Sequence, residues 1–239
     1  MHILSWIGLI LLLLVSGYGI FSYIRIQGLI RKSIALVQTA VPYQQAASEA
    51  TSKALFIGDS TGVGVGATDA KLSLAGRFGA DFPDWNIENL SVSGRKTAEL
   101  ITVLEGLPAN SYQLVIVQIG GNDIVQFSRL PQLRTDIGTV LSKAKHLSPR
   151  VILITAGNVG NAPLLPRPLA FLWTWRTLAV RTLFMAEAKI NDVIYVDLYK
   201  DRSDDPFALD PYRYHAADLF HPSAEGYGLW YQDFKKALE

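Results

Sequence analysis

From Lys53 onward the chain alternates between two hydrophobic patterns. Short runs are apolar at almost every position: Ala54-Leu55-Phe56-Ile57, Leu114 to Ile119, Val151 to Thr155 and Val193 to Asp197, with a weaker run at Asn86 to Leu90. Runs rich in β-branched residues without polar alternation fit strands buried on both faces, as in a parallel sheet. Between them lie stretches with helical periodicity, roughly Ala70–Phe82, Thr97–Leu104, Leu130–His146 and Pro168–Ile190, and a last helix is expected from Ala224 to the end. Strand-helix alternation of this kind predicts a three-layer α/β/α, doubly wound domain. In such domains reactive groups gather beyond the carboxyl ends of the strands. The residues that follow each strand are therefore where chemistry is expected.

The amino terminus follows another pattern. Ile3 to Ile24 carries no charged residue, and its length matches the ~20 residues a helix needs to cross a bilayer core. Trp6 lies near one end, with Tyr18 and Tyr23 toward the other, where amphipathic rings favour the membrane interface. The competing reading is a cleaved signal peptide. Val15-Ser16-Gly17 offers a small-residue cleavage site, but no Lys or Arg precedes the run and the run is long for a signal. Residues 1–25 are thus expected to form an uncleaved anchor. Arg25, Arg31 and Lys32 follow, and the first acid is Glu49. This bias leans toward a cytoplasmic domain, with a periplasmic or extracellular one left open. Residues 26–52, rich in Ala, Gln and Ser and holding Pro42, read as a juxtamembrane helix that becomes a tether. The globular domain is expected over 53–239.

Composition narrows the function. The chain has 239 residues, 49% of them hydrophobic, which suffices for one medium α/β domain with its own core. A net charge of +1 without a basic stripe excludes a nucleic-acid footprint. The absence of cysteine excludes disulfides, thiolate catalysis and Cys-ligated zinc.

Four segments at expected strand ends carry candidate chemistry. Gly58-Asp59-Ser60-Thr61-Gly62 follows the first strand. A serine on such a tight turn exposes its hydroxyl at the sheet edge, with backbone N–H groups facing any developing negative charge. Taken alone, an ordinary Asp/Ser helix cap explains it as well. Gly62-Val63-Gly64-Val65-Gly66, with Glu88 after the second strand, also mimics a dinucleotide-binding loop. Counting from Gly62 and Gly64, the third position is Ala67, a permitted variant, so the loop by itself leaves that reading open. The second segment, Asn89 to Gly94, ends in a glycine that either brings a bare N–H to a substrate or merely supplies a loop conformation. The third, Gly120-Gly121-Asn122-Asp123, has good turn composition, yet it places the Asn122 amide above the strands, where a neutral N–H donor holds an oxyanion. The fourth is Asp218-Leu219-Phe220-His221-Pro222. Asp and His three apart meet on one face of a helical turn, and a carboxylate on one ring nitrogen leaves the other free as a base. Of the four histidines, only His215 competes with His221 for that role.

Together these blocks resemble the SGNH (GDSL-type) hydrolase superfamily, over nearly all of Lys53 to Glu239. The GDS at 58–60, Gly94, the GGND at 120–123 and the DLFH at 218–221 stand in the family's order. The chain lacks a GxSxG elbow around Ser60, which this superfamily does not use. The resemblance implies a flavodoxin-like, five-stranded parallel sheet of order 2-1-3-4-5. It implies a carboxylic ester hydrolase with Ser60 as nucleophile, His221 as general base and Asp218 as its orienting partner. The oxyanion donors would be the Ser60 and Gly94 N–H groups and the Asn122 amide. Asp59, Gly121, Trp173 and Phe220 are expected to contact substrate. No cofactor and no metal is implied. The expected partners are an ester substrate, a lipid ester among the candidates, and a membrane through the amino-terminal helix.

Asn161 to Met185 is unusually apolar, with Trp173, Trp175, Arg167, Arg176 and Arg181 interspersed. It reads either as a core helix with a proline-rich lead-in, or as a flap that forms an acyl pocket or lies on lipid. Three other functions stay open: acyl transfer to or from a sugar, a membrane-tethered binding module with a vestigial site, and nucleotide binding through the glycine loop.

Overall fold

The computed structural model describes residues 2–239. In chain order the elements are α1 (His2–Thr39), β1 (Ser52–Gly58), α2 (Ser60–Val63), α3 (Leu74–Asp81), β2 (Trp85–Asn89), α4 (Glu99–Glu105), β3 (Leu114–Gln118), α5 (Gly121–Val125), α6 (Leu130–Leu147), β4 (Val151–Ile154), α7 (Ala170–Ile190), β5 (Ile194–Val196), α8 (Pro206–Leu209), α9 (Pro211–Tyr214) and α10 (Ala224–Lys236). The five strands form one parallel sheet of order β2-β1-β3-β4-β5. Helices cover both faces, as the strand-helix alternation predicts.

The central strands β3 and β4 are buried at every position. Alternate residues serve opposite faces. Leu55, Ile57, Val115, Val117 and Leu153 pack against Leu100 of α4, Ile137 and Leu141 of α6, and Val180 and Phe184 of α7. Phe56, Ile116, Ile152 and Ile154 pack against Leu74 and Phe78 of α3 and Tyr227 and Phe234 of α10. Each such side chain contributes about 1.5–3 kcal/mol on burial. The register aligns the strand ends: Gly58 pairs with Gln118, Gln118 with Ile154, and Ile154 with Val196. Every loop that follows a strand therefore leaves from one rim, and the site is built there.

Several boundaries differ from the periodicity reading. The expected helix over Ala70–Phe82 is broken at Ser73. Its hydroxyl donates to the carbonyl of Ala70 and accepts from the N–H of Gly76, closing a 3₁₀ turn and capping α3. Two short helices not expected from periodicity, α8 and α9, start at Pro206 and Pro211, each with its proline in the first turn.

The segment expected to be a tether is in part a sheet-edge element. Gln45 forms an antiparallel bridge with Ile87, with N–H to carbonyl distances of 3.1 Å and 2.8 Å. The Gln44 side chain donates to the carbonyl of Asn89 and accepts from its N–H. Backbone groups of β2 that would otherwise lie unpaired at the edge are thus satisfied.

Within Trp6–Thr39 of α1 an 18-residue window reaches a mean hydropathy of 2.1, so the helix is long and apolar enough to cross a membrane. Every residue from Trp6 to Phe21 is exposed. Beyond it, Ser22, Arg25, Ile26, Leu29, Ser33, Leu36 and Val37 are covered at helical spacing. There α1 rests on the domain, and the Arg25 guanidinium donates to the carbonyl of Pro163 at 2.7 Å.

Candidate active site

Ser60 opens α2 directly after β1. Asp59 caps the helix: its carboxylate accepts from the Thr61 N–H at 2.9 Å and from the Thr61 hydroxyl at 2.8 Å. As the first residue of the helix, Ser60 has a backbone N–H without an intrahelical acceptor. Burial raises the Asp59 carboxyl above its ordinary range, against the opposing pull of the Thr61 donors.

His221 arrives from the far end of the chain. Its Nε2 lies 2.9 Å from Ser60 Oγ. Its Nδ1 lies 2.6 Å from Oδ2 of Asp218, which is fully buried. The other carboxylate oxygen, Oδ1, accepts the backbone N–H groups of Phe220 and His221, each at 3.1 Å. Burial alone would raise the Asp218 carboxyl, but the hydrogen bonds and charge of His221 outweigh it and hold the group below its ordinary value. The Asp-His spacing does not sit on a helical turn as expected. The carboxylate instead closes a turn over the two following residues, with Leu219 in the left-handed region at φ 56°. This conformation is uncommon for a residue with a branched side chain, and it sits beside the site.

His215 lines the same cleft but turns its Nδ1 to the carbonyl of Pro211 at 3.1 Å. Burial pushes its pKa down to about 4. His221, not His215, meets Ser60.

Asn122, in the first turn of α5, lines the cleft, and its Nδ2 donates to the carbonyl of Arg95 at 3.0 Å. Asp123 ties the same two loops together through the N–H and hydroxyl of Thr97. Asp59, Gly121 and Phe220 also line the cleft. Gly94 is exposed, holds φ 90°, and is not among the lining residues. Trp173 is not among them either. The phase of α7 turns it inward, where it packs on the core and meets Phe127 edge-on.

The cleft encloses about 70 Å³ and is open to solvent. Apolar Val159, Ala162, Leu198, Phe207 and Trp230 line it together with polar Asn158, Asp205 and His215. Sequence reasoning missed the braces behind the rim. The Asn89 side chain donates to the carbonyl of Gly62 and accepts from the N–H of Ser91. Buried Asp205 accepts from Asn161 at 2.7 Å. Only Asn89 left a trace, as the first residue of the block ending at Gly94.

The glycine loop has a packing explanation. A Cβ on Gly62 would lie 2.4 Å from Ser91 Oγ, and one on Gly66 2.3 Å from the carbonyl oxygen of Pro222. Close packing against the chain's own atoms therefore accounts for both glycines. Among the described residues no His/Asp/Glu cluster suited to a metal occurs.

With this geometry in view, the sequence pattern of the GDSL-like Lipase/Acylhydrolase family matches residues 56–229, most of the chain. The protein belongs to that family. Its general activity is accordingly carboxylic ester hydrolysis. Solved structures of similar fold include a GDSL-family lipolytic protein from Veillonella parvula (16% identity, TM-score 0.63, covering 77% of this chain and 96% of that one). An extracellular lipase from Streptomyces rimosus is 16% identical, with a TM-score of 0.60 and 78% and 100% covered. An acetylxylan esterase from Geobacillus stearothermophilus is 18% identical, with a TM-score of 0.56 and 80% and 95% covered. At these identities the GDSL-like chain shares their fold. No curated protein matches it in sequence.

Proposed function

We propose that this chain is a membrane-anchored serine ester hydrolase that works through an acyl-serine intermediate. One observation carries the reading: Asp218, His221 and Ser60 form a continuous hydrogen-bonded line, 2.6 Å and then 2.9 Å long, ending at a hydroxyl on the cleft wall.

His221 Nε2 takes the Ser60 proton as the hydroxyl attacks the ester carbonyl. Asp218, held as a carboxylate, keeps the Nδ1 proton in place and stabilises the imidazolium that forms. The tetrahedral oxyanion is met by the Ser60 N–H and the Asn122 amide. The Gly94 N–H is the third donor that the family resemblance implies, although Gly94 is exposed and does not line the cleft. The imidazolium returns its proton to the leaving alcohol. Water, deprotonated by the same ring, then releases the acid and restores Ser60. Asp59 and Asn89 act as positioning residues, since they hold the turn on which Ser60 sits. Gly121 and Phe220 border the acyl group, and the apolar lining side chains Val159, Leu198, Phe207 and Trp230 suit an acyl chain.

The apolar half of α1 is the anchor. Its exposed surface from Trp6 to Phe21 has no partner in the domain, and burying it in lipid is strongly favourable.

A panel of p-nitrophenyl esters of increasing acyl length tests the reading on the full chain in detergent micelles. Turnover that depends on Ser60 and persists beyond acetyl supports it. Equal turnover by Ser60→Ala would overturn it.

A further inference from the structure

The amino-terminal half of α7 is apolar on both sides. Trp173, Thr177, Val180 and Phe184 face the core, which accounts for one side. On the other side Phe171 is 64% exposed and Trp175 61%, with Leu172 and Leu178 between and beyond them. These positions lie on one helical face. Further along that side Thr182, Ala186 and Lys189 interrupt the large apolar side chains, with Met185 and Ile190 exposed toward its edges. Leu169, just ahead of the helix, is exposed as well. On the short helices α8 and α9, Leu209 is 67% and Tyr212 80% exposed, and Tyr212 lies within charge range of Arg167 in the lead-in to α7. A cluster of large exposed apolar side chains on one rim marks a surface that something covers.

The occupant follows from where the chain leaves the membrane. Arg25 is the first charged residue after the apolar run of α1, and it is bonded to the carbonyl of Pro163. Pro163 begins the lead-in to α7. The next residue, Leu164, donates its N–H to the carbonyl of Leu219 at 3.1 Å, two residues before His221. The bilayer exit, the start of α7 and the histidine loop are therefore joined by consecutive hydrogen bonds. Arg167 lies in the same lead-in and feels the charges of Arg202 and Arg25 and the ring of Tyr212. Arg202 has Asp201 and Asp204 as sequence neighbours. Among the described residues no carboxylate pairs with Arg25 or Arg167 within ion-pair distance. Guanidinium groups beside exposed Trp, Tyr, Phe and Leu match the phosphate level of a bilayer, where stems lie on acyl chains and charged heads reach phosphate.

We propose that Leu169, Phe171, Trp175, Leu209 and Tyr212 form a docking face that lies on the phospholipid bilayer holding α1 and sets the mouth of the cleft at the lipid surface. This rests on the anchor reading above. It deepens that reading by making bilayer-resident esters the substrates, reached without leaving the membrane plane. The docked face adds a second contact with the bilayer to the packing of α1 on the domain over Ser22 to Val37.

The natural chain has no cysteine, so single labels can be placed cleanly. Full-length Phe171→Cys, Tyr212→Cys, Lys189→Cys and Leu12→Cys are labelled with a polarity-sensitive nitrobenzoxadiazole group. They are then reconstituted into vesicles of phosphatidylcholine and phosphatidylglycerol with or without lipids spin-labelled near the headgroup. Lys189, about 27 Å further along α7, reports the far end of the same helix. The expected result is blue-shifted emission and several-fold stronger quenching at 171 and 212 than at 189. The docking face is overturned if 171 and 212 are quenched no more than 189 while 12 is blue-shifted in lipid. It is also overturned if 171 is blue-shifted but unquenched, which marks a protein partner or a second copy. If 12 reports water while 171 is quenched, the anchor reading fails and the face stands. If both report water, both fail. A second measurement uses Phe171→Ser/Trp175→Ser. Turnover of a soluble short-chain ester stays within twofold of wild type, which reports an intact fold. Hydrolysis of a vesicle-resident ester falls at least fivefold. An equal loss on both substrates, or no loss on vesicles, contradicts the proposal.

Discussion

Asp123 joins the loop after β2 to the loop after β3: its Oδ2 accepts both the N–H of Thr97, at 3.0 Å, and the Thr97 hydroxyl, at 2.7 Å. Both residues are buried. The brace lies between the Gly94 loop and Asn122, so it sets the spacing of two proposed oxyanion donors. Asp123→Ala leaves two buried donors without an acceptor, which costs about 1–3 kcal/mol each. The conservative Asp123→Asn keeps one acceptor. We predict that Asp123→Asn lowers kcat by about tenfold with KM changed less than threefold, since an oxyanion donor acts mainly in the transition state. Steady-state kinetics on a short ester separates the two. A change confined to KM would assign the brace to substrate binding.

Asn122→Ala removes the side-chain donor itself. Its expected cost is on the order of 10²–10³ in kcat, or about 3 kcal/mol of barrier, with a smaller effect on KM. The comparison with Asp123→Asn is informative, because misplacing a donor should cost less than deleting it.

Asp218→Asn keeps the shape of the turn and removes the charge that steadies the imidazolium. A fall in kcat of up to about 10⁴ is expected, with KM little changed. Since the carboxyl is held below its ordinary value, its own protonation does not limit activity above the usual carboxylate range. Full activity in Asp218→Asn would remove it from the mechanism.

His215 predicts a stability effect rather than a catalytic one. Its pKa falls from 6.5 to about 4 in the folded protein because burial disfavours the charged ring. The unfolded chain therefore binds the extra proton first as pH drops. Stability attached to this residue is complete above pH 6.5 and is lost progressively between pH 6.5 and about 4. The loss amounts to about 3 kcal/mol at the lower end. His215→Gln should flatten that acid limb in denaturation measured in detergent. An unchanged slope would show that other groups control it.

The sheet was legible because Leu114 to Ile119 and Val151 to Thr155 are apolar at successive positions, a pattern that only strands buried on both faces need. The strand order came through the motifs and their family resemblance, since periodicity carries no information on which strands are neighbours. Ser60, Asn122, Asp218 and His221 were legible because each stands at a strand end or beside a helix start. The turn that joins Asp218 to His221 was not, because nothing in the sequence announces a left-handed Leu219. Gln44 and Gln45 escaped for a related reason. Edge pairing through a glutamine side chain has no period to detect. Trp173 and Trp175 sit two apart on one helix and face opposite ways. A stretch that is apolar all round gives no phase, so the inward tryptophan could not be told from the outward one.

The most direct test of the account is active-site labelling by a fluorophosphonate, followed by peptide mass mapping. The account predicts one adduct per chain, on Ser60, lost in Ser60→Ala and slowed at least a hundredfold in His221→Ala. An adduct on another residue, or labelling of Ser60 at an undiminished rate without the imidazole, would contradict it.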